Sequence, residues 1–263
     1  MGGFRIDAEG LEVKFGKKQV LDSVSVSILP GECVGILGAS GCGKSTLLRV
    51  LSGKLQPGNG AVLVNEDKPE RNPRGSIGFV PQDDIVHSGL TVEAALRYSA
   101  MLRLGSKEDG YKAADKVIAL LGLEEHRRTR VGRLSGGQRR RVSIGAELLG
   151  DPQVLFLDEP TSGLDPALEN QVMHFCADLA ADGRTIVLTT HIMQSLACLS
   201  LTLVLSGGRM VWYGPPDEML NWFSVSCPGD IYMVIDQDAA ELARRFAASP
   251  YYYRYVSKRL EAL

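Results

Sequence analysis

The chain has 263 residues and a mass of 28.5 kDa, which is enough for one large domain or two small ones around a buried core. Hydrophobic residues make up 44% and charged residues 23%, a composition that excludes disorder as the dominant state. The net charge of -2 excludes a protein that binds nucleic acid through overall positive charge. The five cysteines are scattered without a C-x-x-C pair, which favours reduced thiols over a disulfide framework.

The first 80 residues predict strands and one helix. Alternating apolar patches at 11–15 and 24–28 indicate two short strands of an antiparallel layer. A helix is expected from Lys44. Three apolar runs predict further strands: Cys33–Leu37, Ala61–Val64 and Ile77–Val80.

After Thr91 the apolar period becomes helical. Thr91 and Ser135 are expected to begin two helices, and a third is expected over Tyr111–Leu121. In the first of these helices, Leu96, Ala100 and Leu104 recur at the spacing of one inward face. We therefore predict an inserted helical subdomain at about residues 84–150.

The second half returns to buried strands. Val154–Leu157 and Ile186–Leu188 are continuous apolar runs, and Asp165 is placed to cap the helix between them. Helices that alternate with all-apolar strands predict a mainly parallel sheet covered on both faces.

The segment between Arg184 and Arg209 has no charged residue, but it is too rich in hydroxyl and amide side chains for a membrane span. It is interpreted as strand, turn, short helix and strand. The tail from Asp217 onward is predicted to be helical.

One segment matches the phosphate-loop pattern G-x-x-x-x-G-K-[ST]: Gly38, Ala39, Ser40, Gly41, Cys42, Gly43, Lys44 and Ser45. Glycines let successive N–H groups point into one anion-binding nest, and the following helix adds positive potential. Lys44 can reach the β- and γ-phosphates, and the Ser45 hydroxyl can ligate Mg²⁺.

Two adjacent carboxylates end the Val154–Leu157 strand. Ligands of parallel sheets bind at the carboxyl ends of strands, where Asp158 and Glu159 follow. Asp158 would hold the Mg²⁺ shell, and Glu159 would orient and deprotonate an attacking water.

Leu134-Ser135-Gly136-Gly137-Gln138 predicts a second anion nest, because two glycines follow a capping serine at a helix start. Arg139, Arg140 and Arg141 come next. Cations in a first turn oppose the helix dipole unless an anion lies nearby. For Arg140 and Arg141, a surface-exposed basic face is an equally good interpretation.

Together, the phosphate loop, Leu134–Gln138, Leu157-Asp158-Glu159-Pro160 and His191 resemble the nucleotide-binding domain of ATP-binding cassette (ABC) proteins over roughly residues 8–225. The resemblance implies an α/β phosphate-loop NTPase core with an N-terminal antiparallel β layer and an inserted helical subdomain. It divides the chain into a nucleotide-binding domain, 1–225, and a C-terminal helical extension, 226–263.

The family resemblance assigns further roles. Phe15 would stack on adenine, with a plain core phenylalanine as the alternative. Gln82 would contact Mg²⁺ or the attacking water, and His191 would contact the γ-phosphate. Asp165 has two candidate roles, helix cap and contact across a dimer interface. Thr46, next to the phosphate loop, is grouped with the ATP-binding residues.

The family also implies ligands and partners. ATP and Mg²⁺ are expected, with the metal held through Ser45, Gln82 and Asp158. The phosphate loop of one chain and the signature segment of a second chain, Ser135, Gly136, Gly137 and Gln138, would sandwich each ATP. The second chain is a homo- or heterodimer partner, and no nucleic-acid partner is expected.

Gln82-Asp83-Asp84-Ile85-Val86 and Cys227-Pro228-Gly229-Asp230 are similar to segments of the G (White) subfamily of exporters and related bacterial half-transporters. An ATPase motor coupled to transport is therefore expected. It would be held at the cytoplasmic face of the membrane by a transmembrane partner that contacts the Gln82–Leu90 region. The alternatives are a soluble ABC ATPase acting on nucleic acid or ribosomes, and a nucleotide-sensing interaction module.

Overall fold

A computed structural model describes residues 2–83, 85–191, 196–235 and 238–261. Its strands are β1 Ile6–Phe15, β2 Lys18–Ile28, β3 Cys33–Leu37, β4 Asn59–Val64, β5 Ile77–Val80, β6 Val154–Leu157, β7 Thr185–Thr189, β8 Leu201–Ser206 and β9 Arg209–Gly214. Its helices are α1 Lys44–Leu51, α2 Val92–Leu104, α3 Lys107–Leu120, α4 Gly136–Leu148, α5 Pro166–Ala181, α6 Pro216–Phe223, α7 Ile231–Ile235 and α8 Ala239–Ala247.

Shorter helical elements connect these. The 3₁₀ turns are Pro69–Arg71, Glu124–His126, Val131–Arg133, Leu196–Cys198 and Pro228–Asp230. The last helical segment consists of Pro250–Tyr252, a π-helical turn over Tyr253–Ser257, and Lys258–Leu260. Among the described residues, no helix is both long and apolar enough to cross a membrane.

The main sheet has the strand order β5-β6-β7-β3-β8-β9, in which β9 alone is antiparallel to its neighbour. The five parallel strands confirm the predicted parallel sheet. Strands β3, β6, β7 and β8 are buried along their whole length, as expected for a sheet covered on both faces. Their carboxyl ends meet at one edge and carry the phosphate loop and the acidic pair.

A second sheet, in the order β2-β1-β4, forms the predicted antiparallel layer. Its first two strands have 10 and 11 residues, so they are longer than the short strands predicted. Phe15 lies at the end of β1 and is 55% exposed.

The helical subdomain consists of α2, α3 and α4. Thr91 Oγ1 accepts a hydrogen bond from the Ala94 amide, which confirms its capping role. The predicted inward face is wrong at one position. Leu96 and Ala100 are fully buried, but Leu104 is 44% exposed because the helix ends there, at the left-handed Gly105.

The C-terminal segment packs back onto both sheets. Arg259 forms an ion pair with Glu32 at 2.9 Å, and the Ser206 hydroxyl donates to the Ile235 carbonyl at 2.6 Å. Trp212 of β9 lies against Trp222 and Tyr251, with ring centroids 6.0 and 5.0 Å away. Strand β9, which anchors this segment, was not among the predicted elements.

Candidate functional site: a cleft above the phosphate loop

The phosphate loop turns tightly between β3 and α1 because its glycines adopt conformations closed to other residues. Gly38 and Gly43 have φ angles of 145° and 111°. A Cβ atom at Gly38 would lie 2.3 Å from the Leu205 carbonyl oxygen, and one at Gly43 would lie 2.7 Å from the Val20 oxygen. Only glycine allows this approach of loop, β8 and β2.

Lys44 begins α1 and is buried, with its ammonium group inside the loop. Its Nζ donates to the carbonyls of Gly38 at 2.8 Å and Ala39 at 3.0 Å. These bonds compensate a cation that is 7% exposed, and they hold it beside the loop amides. The loop and the helix N-terminus thus combine a fixed cation with N–H donors, an arrangement that favours anions.

A chain of hydrogen bonds joins the loop to the acidic pair. The Ser45 hydroxyl donates to Asp158 Oδ1 at 2.8 Å, and the Thr189 hydroxyl donates to the same oxygen at 2.8 Å. The Glu159 amide in turn donates to Thr189 Oγ1 at 2.8 Å. Register explains this meeting: Leu157 pairs with Leu188, so Asp158 and Thr189 emerge side by side.

Glu159 lies at the mouth of this arrangement in a strained backbone conformation. Its φ angle is 45°, a left-handed value that few residues other than glycine adopt. Its Oε2 accepts a hydrogen bond from Gln82 Nε2 at 3.0 Å. Val80 pairs with Leu157, which brings the residues after β5 next to those after β6.

These groups border one cleft of about 490 Å³. It is lined by Phe15, Lys18, Val20, Ser40, Gly41, Gly43, Lys44, Ser45, Thr46, Gln82 and Glu159. The volume is within the range of small-molecule sites. Its lining thus combines the exposed aromatic ring of Phe15 with residues of the predicted phosphate loop.

The segment Ser135–Gln138 does not line this cleft and forms a capping box at the start of α4. Ser135 Oγ accepts from the Gln138 amide at 3.3 Å, and Gln138 Oε1 accepts from the Ser135 amide at 3.0 Å, which makes a capping box. Gln138 Nε2 lies 2.8 Å from His126 Nε2. Ser135 and Gly136 are exposed.

Asp165 and His191 also lie outside the cleft lining. Asp165 Oδ1 accepts from the amides of Ala167 at 3.0 Å and Leu168 at 3.1 Å, which confirms the predicted helix cap. His191 follows β7 and is exposed.

Three residues near the site were not predicted to belong to it: Thr189, Arg140 and Tyr232. A polar residue at the end of the strand beside Asp158 is a signal that would have identified Thr189. Arg140 is only 5% exposed, so the interpretation of a surface-exposed basic face is wrong for it. Its long side chain turns inward to the backbone beside Gln82 and Asp158.

Tyr232, on α7, connects the C-terminal segment to the phosphate-loop region. Its hydroxyl donates to the His191 carbonyl at 3.1 Å. Burial raises the pKa of Tyr232 to about 12, the nearby Cys42 thiol adds to the increase, and a backbone hydrogen bond from Gly38 opposes it. This hydroxyl therefore lies between the phosphate loop and His191, which follows β7.

The Gln82–Leu90 region retains apolar surface. Ile85 is 43% exposed, whereas Val86 and Leu90 are partly buried against the core. Asp84 lies outside the described residues.

Comparisons with known proteins agree with this geometry. The family model described as ABC transporter matches residues 21–162. An ABC transporter ATP-binding/permease protein of Mycobacterium tuberculosis is 40% identical over 240 residues, which cover 89% of this chain and 28% of that protein. ABC transporter G family member 26 of Arabidopsis thaliana is 40% identical over 80% of this chain and 32% of that protein. The chain thus spans about a third of the length of these two relatives.

Two shorter proteins match over most of their length. Nod factor export ATP-binding protein I of Rhizobium leguminosarum is 37% identical over 85% of this chain and 73% of that protein. The structure of cbiO1 from Clostridium perfringens, part of the ABC transporter complex cbiONQ, superposes with a TM-score of 0.76 at 29% identity. It covers 83% of this chain and 91% of cbiO1.

Proposed function

The chain belongs to the ABC transporter family as an ATP-binding domain, and from this premise we propose that it hydrolyses ATP as the motor of a transporter. One observation carries the proposal. Hydrogen bonds run from Ser45 through Asp158 and Thr189 to Glu159 at the mouth of a nucleotide-sized cleft. Such a chain can fix a metal-binding pair and a general base relative to a bound triphosphate.

ATP would occupy the cleft with its phosphates on the loop Gly38–Ser45 and on Thr46. Lys44 would exchange its two carbonyl partners for phosphate oxygens, which are stronger acceptors. Phe15 would stack on the adenine, because its exposed ring lines the same cleft as the phosphate loop.

The residues present fit Mg²⁺. The Ser45 hydroxyl and the Asp158 carboxylate already share a hydrogen bond, and the Gln82 amide lies at the same cleft, so the donor set is entirely oxygen. When bound, the metal would neutralise charge on the phosphates.

Hydrolysis would use Glu159 as general base. A water oxygen attacks the γ-phosphorus and loses its proton to the Glu159 carboxylate, while the bond from the γ-phosphorus to the bridging oxygen breaks and ADP leaves. Gln82 would hold the carboxylate and the water in line. His191 would donate to the γ-phosphate from its position after β7.

A second copy or a homologous domain would complete each site. Ser135 and Gly136 are exposed and do not line the cleft of their own chain, and Gln138 forms hydrogen bonds with Ser135 at the same helix start. In a two-fold dimer this helix start would close over the partner's ATP, and Asp165 would lie at the interface.

We further propose that the motor drives export and is held at the cytoplasmic face of the membrane by a transmembrane domain. The names of the Rhizobium and G-family relatives support this, as does the exposed Ile85 in the Gln82–Leu90 region. Residues 1–225, with the insertion at about 84–150, would form the nucleotide-binding domain, and 226–263 an extension packed on it.

The first test is phosphate release by the purified chain at high protein concentration with Mg²⁺ and ATP. We expect turnover in the wild type that Glu159→Gln abolishes. The matched control is Glu70→Gln, which changes an exposed carboxylate on the Pro69–Arg71 turn. Wild-type protein that releases no phosphate would contradict the proposed activity.

The transporter assignment has a separate test. Ile85→Glu is expected to weaken co-purification of the chain with a transmembrane domain expressed beside it, because it puts a charge on the proposed contact. Undiminished co-purification would contradict the proposed role of this region.

A further inference from the structure

Arg140 is a buried cation on α4, the helix that Ser135 caps. It lies in the second turn of α4, and only 5% of it is exposed. Arginine does not lose its proton in proteins, so burial this deep requires compensating acceptors. The hydrogen-bond acceptors of Arg140 therefore indicate its role.

Within the described residues, the Arg140 guanidinium donates to the carbonyls of Pro81, Gln82 and Asp158, which lie on two different loops. Its Nη1 donates to the carbonyls of Pro81 at 2.7 Å and Gln82 at 3.1 Å. Its Nη2 donates to the Asp158 carbonyl at 2.7 Å. These loops follow β5 and β6, which are neighbouring parallel strands.

The carbonyls belong to the peptide groups that carry the proposed catalytic pair. The Asp158 carbonyl is part of the peptide bond to Glu159. The Pro81 carbonyl is part of the peptide bond to Gln82, whose own side chain donates to Glu159. Charge-assisted bonds from one planar group fix the two loops relative to each other. Glu159 has a strained backbone, so it depends on such surroundings to keep its conformation.

We propose that Arg140 is a positioning residue for hydrolysis: by fixing the backbone at Gln82 and at Asp158, it holds the pair Gln82–Glu159 in place for the ATP site of its own chain. This rests on the proposed ATPase function. The helix α4 would then have two roles. Its first turn would contact the ATP bound by the partner, and Arg140 would position Gln82 and Glu159 for the ATP bound by its own chain.

Substitutions of Arg140 can separate positioning of Gln82 and Glu159 from general stabilisation of the fold. Arg140→Gln is expected to lower kcat by about tenfold or more and to leave KM for ATP within about twofold, because a loosened base slows the chemical step more than it weakens binding. Arg140→Lys is expected to recover part of kcat, since lysine keeps the charge but lacks the planar fork.

The matched control is Arg141→Gln on the next residue of the same helix. Arg141 Nη1 donates to the Leu121 carbonyl at 2.8 Å, within the helical subdomain. Its loss is expected to lower Tm with little change in kcat well below Tm. Equal kcat losses in Arg140→Gln and Arg141→Gln would overturn the proposal in favour of general bracing.

Mixed dimers test whether Arg140 acts on its own chain. The active chain, which keeps Glu159, is mixed with an excess of about tenfold of Glu159→Gln chains. Most active chains then pair with a Glu159→Gln chain, and only the cleft of the active chain can hydrolyse ATP. Arg140→Gln in the active chain is expected to lower turnover as it does alone. Placed in the Glu159→Gln chain, it is expected to change nothing.

If Arg140→Gln in the Glu159→Gln chain lowers turnover, Arg140 acts on the partner's ATP through the segment Ser135–Gln138. That result would overturn the inference. The proposed function is judged separately. If wild-type protein hydrolyses ATP and Glu159→Gln does not, any failure belongs to Arg140 alone.

Discussion

Two regions of the molecule are predicted to bind phosphate: the cleft above the phosphate loop and the exposed start of α4. Within a single chain, only the cleft brings its functional groups together. In the cleft, hydrogen bonds through Thr189 already link the Ser45 hydroxyl, the acidic pair and the Gln82 side chain. The Lys44 ammonium is held separately by two loop carbonyls. At the start of α4, the capping box organises Ser135 and Gln138 with respect to each other, and neither lines the cleft. A site shared between two chains requires this arrangement, in which the cleft of one chain is free to meet the start of α4 of another.

The largest effect is expected from Glu159→Gln, which breaks the chemistry of the cleft and leaves the start of α4 untouched. Turnover should fall by about three orders of magnitude, because a general base is lost. Mg-ATP binding and ATP-induced dimerisation should persist, as measured by equilibrium binding and light scattering. Loss of binding in parallel with turnover would mean that Glu159 holds the cleft together.

Gly136→Asp breaks the other region. A Cβ atom at Gly136 would meet Leu164 at 3.4 Å, so a side chain fits without disturbing the fold. The carboxylate would repel a phosphate and lower turnover by about two orders of magnitude, with ATP still bound by the single chain. Gly136→Ala is the size control. Unchanged turnover in Gly136→Asp would remove this segment from the reaction.

Thr189→Val sharpens the description of the cleft. Valine keeps the shape of threonine but loses the hydroxyl that accepts from Glu159 and donates to Asp158. The partly buried Glu159 amide left without its acceptor should lower the free energy of unfolding by about 1 kcal/mol. We expect a roughly tenfold drop in kcat as Glu159 is less well held. Denaturant titration and steady-state kinetics measure the two effects, and Thr189→Ser should restore both.

The smallest effect is expected from Tyr232→Phe, which removes only the hydroxyl that donates to the His191 carbonyl. A single hydrogen bond of this kind is worth about 1 kcal/mol, so a fewfold change in kcat is expected with the fold intact. Measuring ATP turnover and Tm separates an effect on catalysis from an effect on stability alone. A fall in Tm without a change in kcat would make Tyr232 a structural anchor of the C-terminal segment.

Much of the cleft was predictable because its signals are local. The bounds of β3, β5 and β6 match the predicted runs, since short apolar runs ended by glycine, proline or an acid are strong strand signals. The caps at Thr91 and Asp165 depend only on neighbouring residues, and both are confirmed.

Long-range contacts explain what was missed. Arg140 follows a capping segment and looks like a surface residue until the ends of β5 and β6 approach it from about 60 and 20 residues away. Strand β9 is different, because a two-glycine turn, Gly207-Gly208, between apolar runs is a hairpin signal that was available.

The most direct test of the composite site mixes two inactive variants. Lys44→Ala removes the cation of the cleft and Gly136→Asp blocks the start of α4, so a dimer of either variant alone should be inactive. In a mixed dimer, one cleft from the Gly136→Asp chain meets one unaltered α4 start from the Lys44→Ala chain. Mixing equal amounts should therefore restore phosphate release to about a quarter of the wild-type rate, since half of the pairs are mixed and each has one intact site. A mixture no more active than the sum of its two components would contradict a site shared between chains.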